Sequence, residues 1–188
     1  MKRLSTAVCV IMLLAMAAYG ATILVPDQYP TIQAGINAAS AGDTVLVSDG
    51  DWTGPGNRGL DFGGRAIVVM SANGPENCVI DCQSGDRGFY FRSGETASSV
   101  LYGFTIVNGY MTQGGGIHIA NSSPTIERCI VFDNGASYGG GFYIANSSPV
   151  IEHCTIIENS ATNGGAVYST NSNPDINSCV VADNTASG

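Results

Sequence analysis

Residues 114–138 (GGGIHIANSSPTIERCIVFDNGASY), 139–163 (GGGFYIANSSPVIEHCTIIENSATN) and 164–188 (GGAVYSTNSNPDINSCVVADNTASG) are one 25-residue sentence written three times in register. A fixed period of that length restricts the chain to a solenoid, in which each copy packs only on its neighbours. The copies align in columns: Gly114/Gly139/Gly164, Asn121/Asn146/Asn171, Ile126/Ile151/Ile176, Cys129/Cys154/Cys179, Val131/Ile156/Val181 and Asn134/Asn159/Asn184. Apolar residues alternate within them, Ile117 with Ile119 and Cys129 with Val131, which is strand rather than helix periodicity. Glycine and NSSP clusters interrupt the strands at regular places. Each copy therefore reads as one coil of short strands, and successive coils stack as parallel sheets about 4.8 Å apart. That is an all-β fold, a parallel β-helix with about 25 residues per coil.

Upstream of the regular coils, 88–113 reads as a degenerate copy and GGRAIVVMSANGPENCVIDCQ as another coil. The stretch YPTIQAGINAAS differs: Thr31 can cap a short helix over 31–41, with Ile32, Ile36 and Ala39 on one face. Such a helix would cover the open end of the first coil, as solenoids require. The N-terminus has a basic MKR, an apolar run LSTAVCVIMLLAMAA and small residues at Ala18 and Gly20. This is the pattern of a secretory signal peptide, 1–20, too short to span a bilayer and cut before Ala21. The mature domain is then 21–188, expected to be secreted or at the cell surface. No later segment is apolar enough to span a membrane.

Of 7 basic residues, Lys2 and Arg3 leave with that leader, so 5 arginines stand against 15 acidic residues. Such a surface repels nucleic acid and excludes it as a partner. Five cysteines remain after Cys9 is lost. Side chains in register run parallel, so the Cys129/Cys154/Cys179 column is expected to be free core thiols rather than a bridge. Cys78 and Cys82 lie too far apart along an extended strand to pair. The column Asn134/Asn159/Asn184 falls where the chain turns, and stacked amides can bond from coil to coil. Asn121 and Asn146 open N-x-S sequons, but the third copy reads NSN, so turn chemistry explains the column better.

Two constellations qualify as candidate sites. Tyr90, His118, Tyr143 and Tyr168 occupy one column, each preceded by an inward apolar residue. Alternation would turn them outward, where amphipathic rings suit sugars, although strand propensity alone also favours tyrosine. Asp133, Glu158 and Asp183 form an acidic column whose repulsion a calcium ion could relieve, although acids beside a turn asparagine are also simply solvated. No other cofactor is indicated. Arg128 follows Glu127 directly, and since a strand puts neighbours on opposite faces the two need not meet.

The segment ILVPDQYPTIQAGINAASAGDTVLVSDGDWTG resembles the N-terminal entry of pectin-lyase-like right-handed β-helix proteins, where a TIQ-x-A-I-x-A-A helix caps the coil before a GDTV-x-V strand. The C-terminal copies are similar to the repeats of polymorphic outer-membrane proteins, with Val131, Ile156 and Val181 standing where those repeats carry phenylalanine. The resemblance implies a right-handed parallel β-helix on a bacterial surface or outer membrane. It implies no single activity, because the architecture serves lyases, hydrolases, esterases and adhesins alike. The expected function is a carbohydrate-binding or adhesion module whose partner is a polysaccharide or cell-surface glycan. The alternatives are a polysaccharide lyase or other carbohydrate-active enzyme whose catalytic residues lie partly beyond Gly188, and a structural spacer. The last copy is followed by no cap, so a longer chain with further coils covering the open end is expected.

Overall fold

Short runs of alternating apolar residues bounded by glycine, asparagine and serine form strands here, and every strand pairs in parallel with the equivalent strand one coil away. The computed structural model describes residues 20–188; apart from Gly20, the expected signal peptide lies outside the described residues. The walls are a seven-stranded, a six-stranded, a five-stranded and a four-stranded sheet. The seven-stranded sheet runs from Thr22–Val25 to Asp175–Asn177. Its register places Thr125 on Val150 and Val150 on Asp175, steps of one 25-residue repeat. One step is longer, Val68 to Val100, and that coil holds Asp86, Arg87, Arg92 and Glu95. No helix among the described residues is long and apolar enough to cross a membrane.

The single helix among the described residues, Ile32–Ala38, lies between the first two strands. The Thr31 side chain caps it, accepting from the Ala34 N–H at 3.3 Å. Ile32 and Ile36 are fully buried and Ala39 nearly so. It is shorter than the expected 31–41 because Ala39 is already extended, at φ −72° and ψ 141°. Gly35 lets the helix press on the first coils, since a Cβ there would come within 2.7 Å of Val25 Cγ2.

The core consists of inward columns. Leu101, Ile126 and Ile151 stack on one wall, and Ile106, Val131 and Ile156 on the next, all at 0 % exposure. Phe62, Phe89, Phe91 and Phe104 fill the wider N-terminal half. The last coil has a neighbour on one side only, so the same columns end in Ile176 and Val181, 38 % and 53 % exposed. All five cysteines of the described residues are free thiols. The column is longer than the repeat suggests: register carries it from Cys129 to Phe104 and on to Cys78. Burial pushes the Cys78 and Cys82 thiols up to about 12, so neither supplies a thiolate near neutral pH.

The corners carry the main departure from simple alternation. Arg128, His153 and Ser178 turn the chain between the seven- and six-stranded sheets at φ 52–53°. Asp133, Glu158 and Asp183 turn it after the six-stranded sheet at φ 50–54°, and Asn121, Asn146 and Asn171 after the five-stranded sheet at φ 48–50°. Each non-glycine residue in this left-handed region costs of the order of 1 kcal/mol. Ladders of side chains next to the corners offset that cost. The Asn159 amide donates to Val131 O at 2.8 Å, Ile157 O at 3.0 Å and Asn184 Oδ1 at 2.9 Å. Its own Oδ1 accepts from the Asn134 N–H at 3.1 Å and from Asn134 Nδ2 at 3.0 Å. In the column Asn134, Asn159 and Asn184 the left-handed turn is thus made by the preceding residue, Asp133, Glu158 or Asp183, and the amide itself points inward.

Serines form a second ladder, with Ser122 N–H donating to Ser147 Oγ and Ser147 N–H to Ser172 Oγ. Glu95 ends it. Its buried carboxylate accepts from Gly64 N–H at 2.7 Å, Ser93 N–H at 2.9 Å and Ser122 Oγ at 2.8 Å. Burial works to raise its pKa, but those three hydrogen bonds prevail and hold it below the usual glutamate value.

The corner also overturns the expectation for Glu127 and Arg128. Arg128 Nε lies 3.3 Å from Glu127 Oε1. Arg128 is a corner residue rather than a strand residue, so the two side chains share a side.

Candidate functional site

The five-stranded sheet positions one outward column in register: Asp61, Tyr90, His118, Tyr143 and Tyr168. The intervening Phe89, Ile117, Phe142 and Val167 turn into the core. The four rings proposed from sequence therefore stand side by side along the solenoid axis. Their centroids are separated by 4.6 Å (Tyr90–His118), 4.8 Å (His118–Tyr143) and 5.6 Å (Tyr143–Tyr168). Tyr143 and Tyr168 are nearly parallel, at 8°, and the Tyr138 ring meets Tyr168 edge-on at 5.1 Å. The Tyr90–His118 and His118–Tyr143 pairs are tilted by 55° and 48°, so only Tyr143 and Tyr168 stack face to face. What the row offers outward is edges and phenol tips. His118 is not outward-exposed as expected: flanked by Tyr90 and Tyr143, it is only 6 % exposed.

At its N-terminal end the row meets two arginines that repeat logic did not single out. The guanidinium carbons of Arg87 and Arg92 lie 4.5 Å and 4.4 Å from the Tyr90 ring centroid, within cation–π range. Arg92 Nε is 3.0 Å from Asp61 Oδ2, and Arg87 Nε is 3.6 Å from Asp86 Oδ1. Arg92 was detectable in principle, since it stands two residues after Tyr90 on the same strand face. Arg87 belongs to the long, non-repeating coil and left no periodic signal. Two atoms here are buried without a partner among the described residues, Arg87 Nη1 and His118 Nδ1.

Burial, and then the Arg87 charge, lower the His118 pKa to about 4 from its ordinary 6.5. The unfolded chain therefore binds one more proton than the folded chain between those values. Stability should rise with pH across that window, and be lost as pH falls through it, by up to about 3 kcal/mol. Urea melts between pH 4 and 6.5 check this, and His118→Tyr, which matches its column neighbours, should flatten the slope. Glu95 titrates below its ordinary 4.5 and acts in the same direction at lower pH.

The acidic column is placed differently. Asp133, Glu158 and Asp183 are exposed corner residues. Among the described residues no group of three or more His, Cys, Asp or Glu side chains comes close enough to hold a metal ion. The other concavities are shallow. One of about 490 Å³ runs along Glu95, Thr96, Asn121, Ser123 and Asn146. Another of about 340 Å³ lies by Tyr102, Arg128 and His153.

Residues 33–188 match the family model described as the right handed beta helix region. No curated protein and no solved structure matches the chain.

Proposed function

The chain belongs to the right-handed beta-helix family, and on that scaffold we propose that it is an exported protein that binds polysaccharide along its five-stranded sheet. The observation that carries this reading is the in-register row Tyr90, His118, Tyr143 and Tyr168. A row of similar groups repeating at the strand spacing suits a linear polymer of similar repeat lying along the axis. Because the rings crowd one another along the row, the polymer meets ring edges, phenol tips and the Arg92 guanidinium, whose side chain is 55 % exposed. Contact is by hydrogen bonds to sugar hydroxyls. The basic and apolar N-terminal run supports export.

The double variant Tyr143→Phe/Tyr168→Phe separates the two roles of the rings. It keeps the stack and removes both hydroxyls, so polymer binding should weaken by about tenfold with the melting temperature nearly unchanged, two lost hydrogen bonds being worth roughly that much. Unaltered binding to the same polymer, measured by affinity electrophoresis, would remove the row from the binding surface.

A further inference from the structure

The four-stranded sheet, built from Tyr110–Gln113, Gly135–Tyr138, Ser160–Asn163 and Thr185–Ala186, differs in chemistry from the rest of the surface. Register gives it an outward column Tyr110, Gly135, Ser160 and Thr185. Two residues further along each strand lie Thr112, Ser137, Thr162 and Ser187. Met111, Ala136, Ala161 and Ala186 fall between them. In a chain with 15 acidic residues, these outward positions carry no carboxylate and no guanidinium.

All six aliphatic hydroxyls of the face are exposed, and none hydrogen-bonds to a protein group among the described residues. Serines elsewhere are used internally: Ser147 Oγ donates to Ala145 O and Ser172 Oγ to Thr170 O. The free hydroxyls repeat about 4.8 Å apart along the axis and about 6.8 Å apart across it, the strand spacing and the two-residue rise. Tyr110 stands at the head of the array, 65 % exposed. Gly135 leaves room for its ring, since a Cβ there would lie 2.9 Å from Tyr110 Cδ2. With Ser160, Thr162 and Thr185 it borders a depression of about 290 Å³.

We infer that this face is a second contact surface for polysaccharide, and that the polymer it takes is uncharged. The inference rests on the polysaccharide-binding reading above and adds the ligand class. An uncharged polyhydroxyl chain matches the face because each free hydroxyl can both donate and accept, and no carboxylate there needs a counter-charge. The Tyr110 ring supplies the apolar contact that a sugar face requires. Tyr138, at the end of the same sheet, touches Tyr168, so this face runs into the aromatic row without a gap.

The test compares the wild-type chain, Tyr110→Ala and Ser160→Ala/Thr162→Val on matched neutral and acidic polysaccharides. Both variants change exposed side chains, so circular dichroism and melting should stay as in the wild type. Binding to the neutral polymer should weaken about tenfold in each. If both variants bind like the wild type while Tyr143→Phe/Tyr168→Phe loses binding, this inference fails and the aromatic row stands. Preference for the acidic polymer overturns the uncharged assignment. If the wild type binds no polymer, the underlying reading fails as well. A wild type that binds no sugar yet adsorbs to ice, another ordered array of hydroxyl groups, would reassign the face.

Discussion

Asn159→Ala is expected to destabilise the chain by about 3–5 kcal/mol, because it removes both halves of a buried amide relay. The Asn159 side chain is fully buried and bonds to three oxygens, one in each of three successive coils. Its Oδ1 is the acceptor for the buried Asn134 N–H, and alanine would leave that donor without one. Asn159→Asp should be no better. It keeps an acceptor for Asn134 but aims a carboxylate at Val131 O, Ile157 O and Asn184 Oδ1, where the amide donated. Asn184→Ala is the control. Asn184 is half-exposed in the last coil, so water can replace what is lost, and a cost nearer 1 kcal/mol is expected. Denaturant melts of the three variants give the comparison. Equal, small losses for Asn159 and Asn184 would mean that the relay does not hold the coils together.

Gly140→Ala should cost at least about 3 kcal/mol, the upper end for overpacking a close contact. A Cβ at Gly140 would lie 2.5 Å from Ser160 O and 2.6 Å from Gly165 O. Both are backbone atoms, one near the end of the same copy and one at the start of the next, so relief requires the main chain to move. Gly135→Ala makes the opposite case. Its nearest neighbour would be the exposed Tyr110 ring, which can swing away, and a loss below about 1 kcal/mol is expected. Thermal unfolding of the pair tests whether tight corners, rather than glycine content, set the stability of the solenoid.

The fold was largely legible because the repeat writes three-dimensional neighbours into one column. Ile126, Ile151 and Ile176 are 25 residues apart in the chain and adjacent in the sheet. The helix was legible from Thr31, Ile32 and Ile36, one capping hydroxyl and two residues on one face. Alternation failed at the corners. It sent Glu127 and Arg128 to opposite faces, but a left-handed residue resets the phase, and the two pair. Nothing in the residue types announced this, since Arg128, His153 and Glu158 are poor left-handed formers beside glycine. The candidate site was half legible. Parity predicted a row of rings on one face, but parity does not specify ring tilt: Tyr143 and Tyr168 stack, while His118 is tilted against both of its neighbours. Asp61, Arg87, Arg92 and Glu95 lie in coils that depart from the period, where column reading has no purchase. The six free hydroxyls escaped for another reason: Ser and Thr read as turn residues until register sets them side by side on one sheet.

The most direct test of the functional account incubates residues 21–188 with a panel of soluble and insoluble polysaccharides. Both the protein retained and the sugar released are measured. The account predicts retention on at least one uncharged polymer with no soluble sugar released. Retention on none would contradict polysaccharide binding, and steady release of oligosaccharide would make the chain an enzyme rather than a binding module.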